Sequence, residues 1–280
     1  MQPSPLAARP GGTALAPDAP ASGARFFSAP VVENLEVAAD HSLLVLEGCE
    51  ALEGARPGQF AMLRGPWGRD PLLPRALSIL GAERGRAEFL VKRVGRGSRL
   101  LGEARVGTEL TALGPLGNHF PAVGEGRLDL LVAGGCGLPP LHLAARRAAE
   151  RGASGIDLCV GARRSEELPR PLLDRLAKLG VSLAVITEDG STPERGLVTD
   201  LLERRLEGKE ARVFACGPEA MLRAVREVAR RKGAPCWLSL EAQMACGLGA
   251  CLGCAVEGRA GRYLHVCKDG PVFAAEEVWP

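Results

Sequence analysis

Residues 128–143 read LDLLVAGGCGLPPLHL. Apart from Asp129, the run 128–133 is apolar, the pattern of a strand buried on both faces of a sheet. Gly134, Gly135 and Gly137 interrupt it, and 138–151 then carries helical periodicity with Pro139 near its first turn. A glycine-rich turn between a buried strand and a helix offers backbone N–H groups to a phosphate. The spacing is not GxGxxG, so a plain tight turn competes with that reading. The same alternation continues downstream. Strands are expected at 156–161, 181–187, 211–215 and 236–240, and helices at 166–179, 197–206 and 218–232. Repeated βα units predict a doubly wound parallel α/β sheet. Ligands of such sheets sit outside the carboxyl ends of the strands, which selects the loops 134–139, 188–191 and 216–218. In the last of these, Cys216, Gly217 and Pro218 read equally well as a strand-to-helix turn or as the ligand edge of the sheet.

Upstream, the pattern is different. Residues 25–122 hold short apolar runs at 41–46, 59–63, 76–80 and 87–94, separated by Pro57-Gly58, Gly65-Pro66, Gly81 and Gly95-Arg96-Gly97. That spacing predicts a small antiparallel β-barrel of the six-stranded type. Within it, Arg75-Ala76-Leu77-Ser78 and Gly95-Arg96-Gly97-Ser98 supply a guanidinium fork, hydroxyls and close backbone N–H groups, a donor set suited to a diphosphate. A surface arginine and a hairpin glycine pair is the competing reading. Residues 1–24 are rich in Pro, Ala and Gly without periodicity. They are expected to be a disordered tail, with a cleavable targeting peptide as the lesser alternative.

Downstream, residues 241–256 read EAQMACGLGACLGCAV and residues 266–273 read VCKDGPVF. The order Cys246-x4-Cys251-x2-Cys254-x12-Cys267 is the plant-type spacing of a [2Fe–2S] ligand set. Gly247, Gly249, Ala250 and Gly253 are small enough to let the loop wrap a cluster closely. Zinc sites more often repeat Cys-x2-Cys twice. A segment of about 40 residues is too short for a core of its own. The expected organisation is therefore multi-domain α+β, with a barrel at 25–123, the α/β sheet at 124–236 and a small C-terminal cluster domain at 237–280.

Composition excludes other classes. Lys and Arg number 35 against 33 Asp and Glu, and aromatic residues make up 4%, so neither a basic stripe nor stacking platforms for nucleic acid are expected. No apolar run approaches the roughly 18 residues of a membrane span. Nine cysteines, an odd number, five of them scattered singly, do not form a secreted disulfide framework. With no basic start and apolar stretch at the N-terminus, a reducing, cytoplasmic setting is expected. His41, His119, His142 and His265 show no spacing suited to a metal or a triad, and Cys49, Cys136, Cys159 and Cys236 read as small apolar fillers.

Taken together, RALSIL (75–80), GRGS (95–98), AGGCGLPPL (133–141), TEDGS (187–191) with GLVTDLL (196–202), CGPEAML (216–222) and the two cysteine segments resemble one family. It is the electron-transfer subunit of the two-flavin, NAD-dependent (class 1B) dihydroorotate dehydrogenases, a ferredoxin-reductase-like group. The resemblance spans about 25–280. It implies an FAD site at Arg75, Ala76, Leu77 and Ser78, at Leu90, Val91 and Lys92, and at Gly97 and Ser98. It implies a pyridine-nucleotide side at Gly134, Gly135, Gly137, Cys216, Gly217 and Pro218, and [2Fe–2S] ligation by Cys246, Cys251, Cys254 and Cys267. Many relatives carry Pro at the place of Ala76 and Thr at that of Ser98. The wider group stacks an aromatic on the flavin where Leu77 stands. The implied electron path joins NAD, FAD, the cluster and FMN in a separate catalytic subunit, as a heterotetramer of two of each, in pyrimidine (UMP) biosynthesis. No catalytic side chain is nominated. Two alternatives are the small subunit of a ferredoxin:NADP⁺ transhydrogenase or sulfide dehydrogenase, and a zinc-stapled binding module.

Overall fold

The computed structural model describes residues 23–279, so the tail expected at 1–24 lies almost wholly outside the described residues. The first unit is built from strands β1 (Arg25–Ala38), β2 (His41–Glu47), β3 (Phe60–Arg64), β4 (Arg75–Glu83), β5 (Arg86–Lys92) and β6 (Glu109–Leu116). They form a closed barrel ordered β1-β2-β5-β4-β3-β6. β1 closes the barrel by changing partner: it pairs with β6 over residues 25–30 and with β2 from Val31 onward. β1 and β6 are the two strands that the apolar runs did not announce. β1 carries Pro30, Glu33, Asn34 and Glu36 on a largely half-exposed edge, so its alternation is blurred. A second difference lies at Gly95-Arg96-Gly97, where the expected breaker opens a short helix, α1 (Arg96–Gly102).

β2 shows why its sequence is apolar at each of positions 43–46. Leu44 and Leu46 fill the barrel interior beside Phe89 and Ile79. Leu43 and Val45, on the opposite face, pack outward with Leu80 and Leu90 against the helices of the second unit. A barrel strand buried on both sides marks a docked barrel. Ion pairs rim the contact, Arg146 to Glu83 at 2.7 Å and Arg175 to Glu88 at 3.1 Å.

In the second unit, β7 (Leu128–Gly134), β8 (Ile156–Ala162), β9 (Ser182–Thr187), β10 (Ala211–Cys216) and β11 (Cys236–Ser239) are parallel. Helices α2 (Leu138–Glu150) and α3 (Arg170–Lys178) cover one face, and α4 (Val198–Leu206) and α5 (Glu219–Lys232) the other. The chain winds from β7 outward to β9, then returns to the other side of β7 for β10. The crevice where winding reverses lies between the carboxyl ends of β7 and β10, the preferred ligand position of such sheets.

The C-terminal segment holds a ribbon of β12 (Ala255–Glu257) and β13 (Tyr263–His265), followed by β14 (Val272–Ala274). β14 pairs antiparallel with β11, so the sheet departs from the expected purely parallel form at one edge. The completed sheet has six strands, ordered β14-β11-β10-β7-β8-β9. Cys254, Val266, Cys267, Phe273 and Val278 join one apolar cluster with Phe60, Met62 and Leu116 of the barrel and with the sheet. Asn118, just beyond β6, fastens the junction. Its side-chain amide donates to the carbonyls of Asp269 (3.1 Å) and Val272 (2.8 Å), and its side-chain oxygen accepts from the Val272 N–H (2.9 Å). Among the described residues no helix is long and apolar enough to cross a membrane.

At the opposite end of the sheet, Asp129 is fully buried and accepts from Arg212 Nε (2.7 Å) and Nη2 (2.8 Å) and from the Gly124 N–H (2.6 Å). Removing one member of a buried pair strands the other's charge. Asp129→Ala is therefore expected to lower unfolding free energy by about 3–5 kcal/mol, read from the urea midpoint at unchanged slope.

Candidate functional site

A cleft of about 310 Å³ opens between the barrel and the carboxyl edge of the sheet. Arg75, Ala76, Leu77 and Ser78 of β4 form one wall, with Leu90 and Lys92 of β5 beside them. The loop at Val94, Gly95 and Ser98 closes one end, and Cys136, Pro139 and Cys216 face it from the sheet. Most of the barrel residues singled out from the sequence thus share a single crevice. Two do not open onto it. Val91 is fully buried inside the barrel, as the alternation of β5 requires. Gly97 stands behind Arg75: a Cβ there would overlap the guanidinium, so its lack of a side chain is what lets Arg75 lie against α1. Arg75 Nη1 is held by the carbonyls of Leu73 (2.7 Å) and Pro74 (3.2 Å).

Ser98 is used differently from the sequence expectation. Its hydroxyl accepts from the N–H groups of Val94 (3.1 Å) and Gly95 (3.0 Å) and donates to the Gly95 carbonyl (3.0 Å). The side chain therefore shapes the loop at the start of α1, and the loop's backbone is what it presents to the cleft.

A second cavity, of about 360 Å³, lies over the ends of β7, β8 and β9. Gly134 and Gly135, Glu188, and Pro218 line it, one contribution from each of the three loops selected by the sheet rule. Lys92 borders both cavities and sits 4.0 Å from Glu167. The three glycines of the first turn have separate tasks. Gly137 lets the turn touch β10, since a Cβ there would overlap the Cys216 carbonyl. Gly134 leaves room for the Met221 sulfur. Gly135 has φ +52, and a Cβ at its place would find only Lys92 Nζ, 4.0 Å away, so it is the glycine that leaves backbone open to the cavity. Gly217, at φ +157, turns the chain between β10 and α5 against Met221, and Pro218 caps α5 one residue ahead of its first helical turn.

Cys216 is buried, and burial with the nearby Glu241 charge pushes its thiol far above the ordinary range. Cys136 is pushed up to about 11 by burial and then by Glu241. Both are neutral thiols, so neither is an activated nucleophile. Glu241 itself is raised by desolvation, against the opposing pull of Lys92. Sequence reasoning missed Glu241, Ala242 and Met244 as cleft residues. Their only signal was adjacency to the cysteine loop.

That loop begins where the cleft ends. The four thiols fall into two pairs: Cys254 and Cys267 have sulfurs 3.3 Å apart, and Cys246 and Cys251 interact with each other. Among the described residues no three His, Cys, Asp or Glu side chains close round one metal ion. Two pairs suit two irons better than a single tetrahedral zinc. Backbone N–H groups point at the sulfurs, Leu248 to Cys246 at 3.4 Å and Gly249 to Cys267 at 3.1 Å. The Leu248 N–H leads the causes that bring the Cys246 thiol down to about 6. Gly247 and Gly249, both at positive φ, bring the loop onto Met62 and Leu116 and onto Lys268, where a Cβ would crowd each contact.

The two turn glycines make distinct predictions. Gly137→Ala forces backbone apart at β10 and should cost about 1–3 kcal/mol. Gly135→Ala meets open space and should cost only the roughly 1 kcal/mol of its left-handed backbone. Denaturant titration of both variants checks the order.

Comparison with known proteins agrees with this layout. Residues 241–279 match the iron–sulfur cluster binding domain of dihydroorotate dehydrogenase B, and residues 131–227 match an oxidoreductase NAD-binding domain. The dihydroorotate dehydrogenase B (NAD(+)) electron transfer subunit of Bacillus caldolyticus is 38% identical over 241 residues, 84% of this chain and 91% of the relative. That of Shouchella clausii is 36% identical over 255 residues, 89% and 96% of the two chains. Among solved structures, a chain of an NADH-dependent reduced ferredoxin-NADP oxidoreductase superposes with a TM-score of 0.78 at 30% identity, covering 89% of each chain. A ferredoxin reductase of carbazole 1,9a-dioxygenase gives 0.66 at 25% identity, covering 76% of this chain and 67% of the other. With a barrel, a nucleotide-type sheet and a cysteine loop meeting at one crevice, and relatives of matching length, this chain belongs to the dihydroorotate dehydrogenase B electron-transfer subunit family.

Proposed function

We propose that the chain relays electrons between NAD and a separate FMN-bearing subunit that oxidises dihydroorotate, in pyrimidine biosynthesis. The observation that carries this reading is the continuity of the crevice. The β4 wall, the Cys216 edge of the sheet and the 241–244 approach to the cysteine loop line a single cleft. FAD bound there supplies the exchange between two-electron hydride chemistry and the one-electron steps of a [2Fe–2S] centre. The chain's own residues bind and position. Arg75 by its charge and the backbone N–H groups of 96–98, at the start of α1, would hold a diphosphate. Leu77, Pro139, Leu240 and the neutral Cys216 exclude water. Gly135 and Lys92 receive the nucleotide's phosphates from the sheet side. Cys246, Cys251, Cys254 and Cys267 ligate the irons, with the Leu248 and Gly249 N–H groups offsetting thiolate charge.

In this reading, residues 25–123, 124–236 and 237–280 are the FAD, NAD and cluster units. Leu248 and Leu252 are exposed on either side of the exposed Cys251. They give the catalytic subunit an apolar landing at the cluster's outer edge, in a cytoplasmic heterotetramer of two of each chain. A second reading, as the small subunit of a ferredoxin:NADP⁺ transhydrogenase, is favoured by the 0.78 superposition on such an oxidoreductase. The sequence relatives of matching length favour the first.

Co-purification with a candidate dihydroorotate-oxidising flavoprotein tests it. NAD⁺ reduction by dihydroorotate should require both chains, and NAD⁺ turnover by the catalytic subunit alone would overturn the proposal. Dependence on reduced ferredoxin and NADP⁺ would favour the second reading. Cys251→Ser should keep flavin absorbance, lose acid-labile sulfide, and bring coupled turnover to background. A zinc-containing, colourless wild-type chain would remove the cluster from the scheme.

A further inference from the structure

A third cavity, larger than either of these at about 550 Å³, lies at the other end of the sheet and shares no lining residue with them. Its floor is the edge of the sheet at Trp237, Val272 and Ala274, and its far wall is the 119–125 connector between barrel and sheet. Trp237 stacks on Phe214 with centroids 5.2 Å apart and planes 16° from parallel. Its ring is only partly buried and lines the cavity.

Cationic side chains supply much of the rest. Arg212 is satisfied by Asp129 and lies 3.7 Å from Glu125. Arg56 hydrogen-bonds His119 at 2.6 Å. Arg147 and Arg151, one turn apart on and just after α2, are not balanced in this way. Among the described residues Arg151 donates only to the Val123 carbonyl, at 3.2 Å, and Arg147 makes no hydrogen bond or close ion pair, with Glu83 and Glu150 acting on it only at longer range. Neighbouring Arg146 takes both nearby carboxylates, Glu83 at 2.7 Å and Glu150 at 3.4 Å. A half-buried guanidinium in that position is costly unless an anion completes it.

We infer that this cavity is a second ligand site, selective for a planar, phosphorylated molecule of mononucleotide size. Arg147 and Arg151 hold its phosphate, and Trp237 receives its ring. The volume falls within the range of small-molecule sites, about 300–1,000 Å³. Bidentate guanidinium contacts favour phosphate, and an aromatic face accepts a heterocycle without demanding its identity. The site lies at the amino ends of β10 and β11, away from the dinucleotide edge.

An adenine nucleotide would also enter a dinucleotide site, so uridine monophosphate is the discriminating probe. Titration calorimetry of the full chain with its cofactors and saturating NAD⁺ should show uridine monophosphate binding. Uridine and inorganic phosphate should each bind about tenfold or more weakly than the nucleotide. Arg147→Gln, which removes no hydrogen bond among the described residues, should weaken the nucleotide by about tenfold and leave flavin and sulfide content unchanged. Trp237→Ala should also weaken it, and Trp237→Phe should retain it. The inference is overturned if the nucleotide does not bind at millimolar concentration. It is equally overturned if Arg147→Gln leaves binding unchanged, if phosphate alone matches the nucleotide, or if NAD⁺ competes the nucleotide away.

Discussion

Asn118 and the apolar cluster beneath it set the geometry on which the other parts depend. The C-terminal segment has too few residues to bury a core, so it borrows one: Cys254, Val266, Cys267 and Phe273 pack with Phe60, Met62 and Leu116 of the barrel and with the sheet. Asn118 adds three hydrogen bonds across the same seam. The segment then returns β14 to the sheet edge. A cysteine loop held at both ends by different units cannot drift from either. Its distance from the cleft is fixed by packing, and in one-electron transfer distance is what the protein controls.

Much of this was legible because burial writes itself into sequence. The five parallel strands and the helices between them fell within a few residues of expectation, β7 most plainly as a mostly apolar run. β2, buried on both faces at 43–46, was announced as one of the short apolar runs of the barrel region. β1 and β6 were not legible. β1 changes partner midway and holds polar residues on an exposed edge, so neither period dominates. β14 was hidden for another reason. Three residues following Gly270-Pro271 carry no periodicity, and their strand character comes wholly from the partner they find on β11.

At the site, spacing located residues well but assigned their tasks less well. The glycines at 134, 135 and 137 suggested one phosphate-cradling turn. Two of them answer to packing against Met221 and the Cys216 carbonyl, and Gly135 is the one with open space where a Cβ would stand. Ser98 suggested a hydroxyl for the ligand, and that hydroxyl is committed to Gly95 and Val94. Val91 faces the barrel interior. Each case follows from a fact local sequence does not contain, namely which backbone lies on the other side.

The electrostatics of the crevice argue for a relay rather than an acid–base centre. Cys136 and Cys216 are held protonated by burial and by the Glu241 charge. Removing their charge makes them compact apolar walls beside the cleft. At Cys246 the balance reverses: backbone N–H groups, that of Leu248 first, converge on it and favour its thiolate, whereas burial and the neighbouring Cys254 push Cys267 up to about 12. One chain thus keeps two thiols neutral where a planar ring would lie and favours a charged thiolate where metal would bind. The difference arises from the surroundings, since the side chain is the same in both places. A thiolate at Cys216 would need a positive neighbour in place of Glu241, and Lys92, the cation that acts on Glu241, also sits against Glu167.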